Sequence, residues 1–321
     1  MSEQLSLSSY IERAYLENDT DTLTNTEIYN YVENSDYHTE GKTPRCSIRA
    51  RLQKNKKFMS VARGVWMLVN GKSQSLIIEG NGRELSGIND NTIDCIITDH
   101  PYNIPRSLKG GNRDMAKYEC FRYTQEDFNA KARVLKPGSF LCEFLPWENG
   151  DNSEYLMEVR KMAKKAGFEL YCVLDWRKFN SAINDARPDA NTGRTTKGSE
   201  VIMVWSLGSP KSLVVGNKGR KTKEIVKQHI EDCYIKRKGE KTHQAEKPIE
   251  LYEYLISCFT EEGDWCVDQF GGSCNMAIAA TNKRRNSIVY EICHEFVEKA
   301  VARLGAVNVF KEEELLSSAI A

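Results

Sequence analysis

Asp99, His100, Pro101 and Tyr102 follow directly on the apolar run Ile93-Asp94-Cys95-Ile96-Ile97-Thr98. That run reads as a buried strand, which delivers a carboxylate, a rigid turn and an aromatic ring to its C-terminal end. In open α/β sheets ligands bind outside the carboxyl ends of strands, so chemistry is expected at this tetrapeptide. Its groups suit a flat base: an acid, a stiffening proline and a ring that stacks. Taken alone, the four residues also fit an ordinary strand end whose Asp and Pro make a turn.

Further on, Trp265-Cys266-Val267-Asp268 reads as a strand entering the turn Gln269-Phe270-Gly271-Gly272-Ser273-Cys274, and Asn275–Ala280 reads as a small-residue helix start. Glycines there let backbone approach a ligand closely. About twenty residues later, Ser287-Ile288-Val289-Tyr290-Glu291 is a second strand ending in an acid, the offset that suits a ribose diol.

The tetrapeptide resembles the D/N/S-P-P-Y signature of amino-group methyltransferases, which modify adenine N6 or cytosine N4 in nucleic acids; His100 stands at the family's first proline. The resemblance implies that the Asp99 carboxylate and the carbonyl of residue 100 accept the two amine hydrogens. It implies that Pro101 stiffens the turn and that Tyr102 stacks on an extruded base, while the His100 ring adds bulk or a titrating charge. The glycine-rich turn is similar to the family's D-P-F-x-G-S-G segment for S-adenosylmethionine. Asp268, Phe270 and Gly272 match, Gly271 and Ser273 lie within it, and Cys274 replaces the last glycine. Glu291 matches the family's ribose-binding acid.

His243-Gln244-Ala245-Glu246-Lys247-Pro248-Ile249-Glu250-Leu251 resembles the H-P-T-x-K-P-x-x-L segment. That implies Lys247 near the cofactor carboxylate and Pro248 opening a helix Ile249–Phe259 at its first turn; a lone lysine there also fits a solvated surface. Leu76–Asn81 resembles the strand whose terminal acid faces the cofactor adenine, with Asn81 in the acid's place. Arg133–Phe140 looks like a helix end, a turn and the next strand; Leu170–Trp176 and Val201–Leu207 are further strand candidates. The catalytic half (about 76–207) precedes the cofactor half (about 243–305), the circularly permuted order of the family's β group.

Residues 1–72 have a different texture. Ser9–Asn18 is amphipathic, with Tyr10, Ile11, Ala14 and Leu16 as candidate core. Thr24-Asn25-Thr26-Glu27 fits a capping box leading into Ile28, Tyr31 and Val32 at helical spacing. Thr43-Pro44 caps a further helix with Ile48 and Leu52 on one face and Arg45, Arg49, Arg51 and Lys54 on the other. Phe58–Val61, the turn Ala62-Arg63-Gly64 and Val65–Leu68 suggest a hairpin. Three helices and a hairpin make a winged helix, and this run resembles the HARE helix-turn-helix domain, which implies DNA binding. Nine basic residues and one acid between Glu40 and Lys72 suit phosphate contacts, Arg63 among them. A basic face on a protein-docking winged helix is the alternative.

The 321 residues suit one small and one medium domain. Forty-five basic and 45 acidic residues cancel, so only local charge points to nucleic acid. Basic residues in Lys211–Lys241 and the polar segment Arg187–Lys197 fit either DNA-facing loops or linkers. The ten cysteines lack metal-ligand spacing and several sit in apolar strands, so an intracellular protein with reduced thiols and no metal is expected. No long apolar span suggests a membrane role.

The expected fold is a three-layer αβα Rossmann-like methyltransferase sheet in residues 73–321 behind a winged helix in residues 1–72. The expected activity is methylation of adenine N6 in double-stranded DNA with S-adenosylmethionine, by base flipping and direct in-line transfer. Methylation of cytosine N4, or a non-catalytic DNA-binding subunit, are the alternatives; RNA as substrate is a third, disfavoured by the winged helix. Dimers are common in the β group, so a homodimer is among the expected partners.

Overall fold

The structure, a computed structural model, describes residues 5–37, 44–55, 57–62, 64–68, 73–101, 120–178, 199–213, 226–231, 233, 246–305, 307–313 and 315. Two compact units emerge: Met1–Lys72 with Ser86–Asn89 and Phe310–Ala321, and Ser73–Leu85 with Asp90–Val309.

The first unit holds α1 (Leu7–Glu17), β1 (Thr22–Thr24), α2 (Asn25–Glu33), α3 (Pro44–Lys54), β2 (Phe58–Ala62) and β3 (Val65–Leu68). The strands form an antiparallel sheet in the order β1-β3-β2. The capping box is present: the Glu27 amide donates to Thr24 Oγ1 (3.2 Å) and the Thr24 amide to Glu27 Oε2 (2.6 Å). Ile11, Ala14, Tyr15, Ile28, Val32, Ile48 and Leu52 fill the core. Leu16, expected inside, is 73% exposed, and Tyr15 takes its place. Tyr15 is four residues beyond Ile11 and falls on the buried stripe, whereas Leu16 turns a further 100° out of it.

The second unit holds β4 (Ser75–Glu79), β5 (Ile93–Thr98), α4 (Gln125–Val134), β6 (Leu135–Leu145), α5 (Ser153–Lys165), β7 (Phe168–Arg177), β8 (Ser199–Leu207) and β9 (His229–Ile230). It continues through α6 (Ile249–Phe259), β10 (Trp265–Asp268), α7 (Asn275–Asn282), β11 (Asn286–Glu291) and α8 (His294–Leu304), and β12 (Asn308–Lys311) straddles its boundary at Val309. The mixed sheet runs β12-β4-β11-β10-β5-β6-β8-β7-β9. The run from β4 to β6 is parallel, and β8 and β7 turn it antiparallel.

Side-chain alternation on β6 shows how the faces are used. Phe140, Cys142 and Phe144 join the cluster that includes Leu251, Leu255 and Phe259 of α6 and Met276, Ala277 and Ala280 of α7. Glu143 points the other way, toward Lys131 of α4. Helices therefore cover both faces of the sheet.

One strand boundary and the place of one proline differ from expectation. β6 starts at Leu135, directly after α4, and a bulge lets Ile93 pair with Leu135 but Cys95 with Phe140, absorbing Pro137-Gly138 inside the strand. Pro248 is the cap residue before α6, with extended backbone (ψ 143°), and does not lie in its first turn.

Candidate active site

The parallel pairing of β5 with β10 decides the geometry. Cys95 and Ile96 lie opposite Cys266 and Val267, so both strands end at one carboxyl edge. The Gln269 amide donates to Thr98 Oγ1 at 3.3 Å. Asp99 and the turn beginning at Asp268 are thereby brought together, although 169 residues separate them along the chain.

On the cofactor side, Gly272 (φ +51°) and Cys274 (φ +54°) both take left-handed backbone. The family glycine that Cys274 replaces thus meets a position whose geometry favours glycine. Glu291 ends β11 and binds the turn itself: Oε2 accepts from the Gly272 amide at 2.6 Å and Oε1 from the Cys293 amide at 2.7 Å. Asp268 Oδ1 accepts from the Phe270 amide at 3.1 Å. Burial pushes the Asp268 carboxyl up to about 7, leaving a carboxyl that a bound cation would favour as carboxylate. Gly271 donates to the Tyr290 carbonyl (2.8 Å), and the Ser273 carbonyl accepts from Arg303 (2.6 Å).

Asn81 is exposed, and its Oδ1 accepts from the Arg83 amide at 3.2 Å. The adjoining Gly82 was not singled out from the sequence, yet a Cβ there would lie 2.1 Å from the Gln269 carbonyl oxygen. Gln269 Nε2 in turn donates to the Gly82 carbonyl at 2.8 Å, so the loop after β4 is packed onto the glycine-rich turn. A cationic, ribose-bearing cofactor fits this donor set: buried Asp268, Glu291 beside Gly272, and close-approach backbone between them.

On the catalytic side, Lys247 meets Asp99. Its Nζ donates to Asp99 Oδ2 at 2.5 Å and lies 3.1 Å from Glu200 Oε2. The segment is anchored by Asn275, whose Nδ2 donates to the Lys247 carbonyl (2.7 Å) and to Glu246 (3.1 Å). Burial raises the Asp99 carboxyl above its usual range against the opposing pull of Lys247, and the Glu200 charge adds to the rise. Burial acts on Glu200 in the same sense, but Lys247 and Lys178 outweigh it and hold Glu200 at about 2. Lys178 also bonds Glu200 directly.

His100, in place of a proline, buries its ring. Nε2 is 2.6 Å from the Tyr155 hydroxyl and Nδ1 is 3.3 Å from Glu143 Oε1. Pro101 carries a carbonyl that accepts from the Phe121 amide at 3.0 Å. Tyr102, Arg63 and residues 187–197 lie outside the described residues, as do 243–245 and most of 211–241. Arg45, Arg49, Arg51 and Lys54 are exposed on α3; Arg45 is paired with Glu33 at 2.7 Å.

Glu200, Lys178, Glu143 and Lys131 were missed. Two had a signal: Glu143 is a charge inside the apolar run Phe140–Leu145, and Lys131 shares a helical stripe with Phe128 and Val134.

The fold has counterparts among known proteins. The type II methyltransferase M.HpaI of Haemophilus parainfluenzae is 24% identical over 249 residues, 72% of this chain and 74% of its own. A structure of PvuII DNA methyltransferase (cytosine-N4-specific) superposes with a TM-score of 0.55 at 20% identity, covering 78% of this chain and 92% of that one. A Thermus thermophilus protein, TTHA0409, a putative DNA modification methylase complexed with S-adenosyl-L-methionine, gives 0.54 at 17% identity over 74% and 98%. Residues 93–302 match the profile of the N6_N4_Mtase family, DNA methylase. The chain therefore belongs to this family of DNA methylases, whose methyl donor is S-adenosylmethionine.

Proposed function

We propose that this protein methylates adenine N6 in double-stranded DNA. The observation that carries the reading is the meeting, at one sheet edge, of Asp99 with the turn of Asp268, Gly271 and Gly272. Asp268, Phe270, Gly271, Gly272, Ser273 and Glu291 form the cofactor side, with Asn81 at its adenine end. When bound, S-adenosylmethionine supplies an electrophilic methyl group. An exocyclic amine conjugated to a purine is nearly planar and a weak nucleophile. Asp99 and the carbonyl of residue 100 accept its two hydrogens, drawing the nitrogen lone pair toward the methyl. Most of the acceleration comes from orientation in a dry pocket. Lys247 opposes the effect of burial on Asp99 and so favours the ionised form, the one that accepts. Pro101 holds the turn, and Tyr102 stacks on the extruded base.

The first unit serves as a winged helix that holds DNA. Three helices with a three-stranded antiparallel sheet support this, together with exposed Arg49, Arg51 and Lys54 on α3, which make no ion pair among the described residues. Replacing Arg49 and Arg51 by Ala is expected to weaken DNA binding and to flatten the salt slope by about 0.9 per lost phosphate contact. An unchanged slope in a salt titration would assign this face to a protein partner.

Nucleoside mass spectrometry of DNA incubated with the protein and S-adenosylmethionine tests the activity. The expected product is N6-methyladenine; N4-methylcytosine would move the target to the other base, and no product would mark a binding subunit. Asp99→Ala is expected to lower turnover by about 10³-fold or more, with cofactor affinity nearly intact.

A further inference from the structure

One buried group of charges is unused by that chemistry. Lys131 and Glu143 are both fully buried, with Lys131 Nζ 3.0 Å from Glu143 Oε2 and 3.6 Å from the centre of the Tyr123 ring. The Tyr123 hydroxyl also donates to Glu143. Glu143 is the register partner of Thr98, the residue before Asp99. All of these groups converge on the His100 ring, which lies 3.3 Å from Glu143, 2.6 Å from the Tyr155 hydroxyl and 3.8 Å, centre to centre, from Tyr123.

A buried lysine–glutamate pair is a weak source of stability, since apolar side chains of equal volume fill such a space as well. What it adds is direction. The Glu143 carboxylate only accepts, and it faces His100 Nδ1 at 3.3 Å without the alignment of a hydrogen bond, a contact that favours the hydrogen on that nitrogen. Burial holds the imidazole below its usual range against the pull of Glu143, so the ring is neutral and Nε2 accepts from Tyr155. The Tyr155 hydroxyl meanwhile accepts from the Tyr123 amide at 3.5 Å. The ring is therefore held from two sides, by β6 and α5, and it belongs to the residue whose carbonyl is proposed above to accept from the substrate amine.

We propose that Glu143, held by Lys131, is a positioning residue: it clamps the His100 ring against Tyr155 and so sets the direction of the residue-100 carbonyl beside Asp99. This inference rests on the methyltransferase reading of that turn. A polar contact on one side of the histidine ring and a hydrogen bond on the other here do what a proline ring does by covalent constraint.

Glu143→Gln keeps the shape and removes the charge. Its kcat for methyl transfer is expected to fall about tenfold or more, while cofactor affinity changes less than about threefold. Amide hydrogen exchange in the peptide spanning residues 98–101 is expected to quicken about fivefold or more. In a His100→Pro background, itself slower but active, adding Glu143→Gln is expected to change kcat less than about twofold. An equal loss in both backgrounds overturns the proposal, as does a folded His100→Pro with no turnover. Unchanged exchange at 98–101 in Glu143→Gln overturns it without reference to turnover. That arm still decides the clamp if the wild type methylates no base, a result that would defeat only the reading of function. Should Glu143→Gln fail to fold, Tyr155→Phe removes the opposite hold on the ring and carries the same readouts, with an expected loss in kcat of about threefold and an overturning result of none.

Discussion

The two sides of the site are built from different materials. The cofactor turn is set by backbone: left-handed Gly272 and Cys274, amide bonds to Glu291 and the Tyr290 carbonyl, and a glycine packed where no Cβ fits. The catalytic turn is set by charge: Asp99 by Lys247, Lys247 by Glu200, and His100 by Glu143 and Lys131. Backbone geometry arises within one strand–turn–helix–strand run. The charge clusters draw on residues scattered from Lys131 to Lys247, and they exist only once the sheet has assembled.

If the contrast holds, a methyl group added to the first region should damage binding of the cofactor, and a charge removed from the second should damage its use. Gly271→Ala is the severe case. Its Cβ would lie 2.3 Å from Val289 Cγ1, inside the buried β11. A loss of about 1–3 kcal/mol in stability is expected from such overpacking, with cofactor affinity falling about tenfold or more. Thermal melting with and without S-adenosylmethionine measures both; an undiminished cofactor-induced shift would mean that the turn does not form the cofactor surface.

Lys247→Met tests the other side. Asp99 faces Lys247, Glu200, His100, Tyr252 and Asp268, and Lys247 supplies the attraction that opposes its burial. Removing the ammonium raises the Asp99 carboxyl further. Because the ionised form accepts the amine hydrogens, activity is lost as pH falls through that raised value, so the acid limb of kcat moves to higher pH. Lower turnover on the acid side of the profile, with cofactor affinity little changed, is expected. A profile whose acid limb stays in place would show that Lys247 does not govern Asp99.

The same division explains what could be read from the sequence. Ile93–Thr98 and Ile249–Phe259 stand out as an apolar run and a proline-started helix, and both form with those bounds. The strand Trp265–Asp268, the helix that starts at Asn275 and the strand that ends at Glu291 were legible because they are neighbours in one run of chain. The contact of Lys247 with Asp99, 148 positions away, was not legible, because it exists only once the sheet has assembled. Leu16 failed for a local reason, a helical face judged from hydrophobicity when the 100° rotation per residue favoured Tyr15.

Cys274→Gly should have the smallest effect, and it addresses the backbone side most directly. With φ +54° and ψ +29°, Cys274 already follows the path a glycine would take. Glycine removes the penalty of a side chain in left-handed backbone, about 1 kcal/mol. Against this stand the loss of a buried thiol and the greater freedom of glycine in the unfolded chain, together about as large. The terms nearly cancel, so stability should move by less than about 1 kcal/mol and cofactor affinity by less than about threefold. A melting curve and a cofactor titration check both. If affinity changed by about tenfold or more, the Cys274 side chain, and not the turn's path, would be shaping the pocket, and the backbone account of this region would give way to one of side-chain contact.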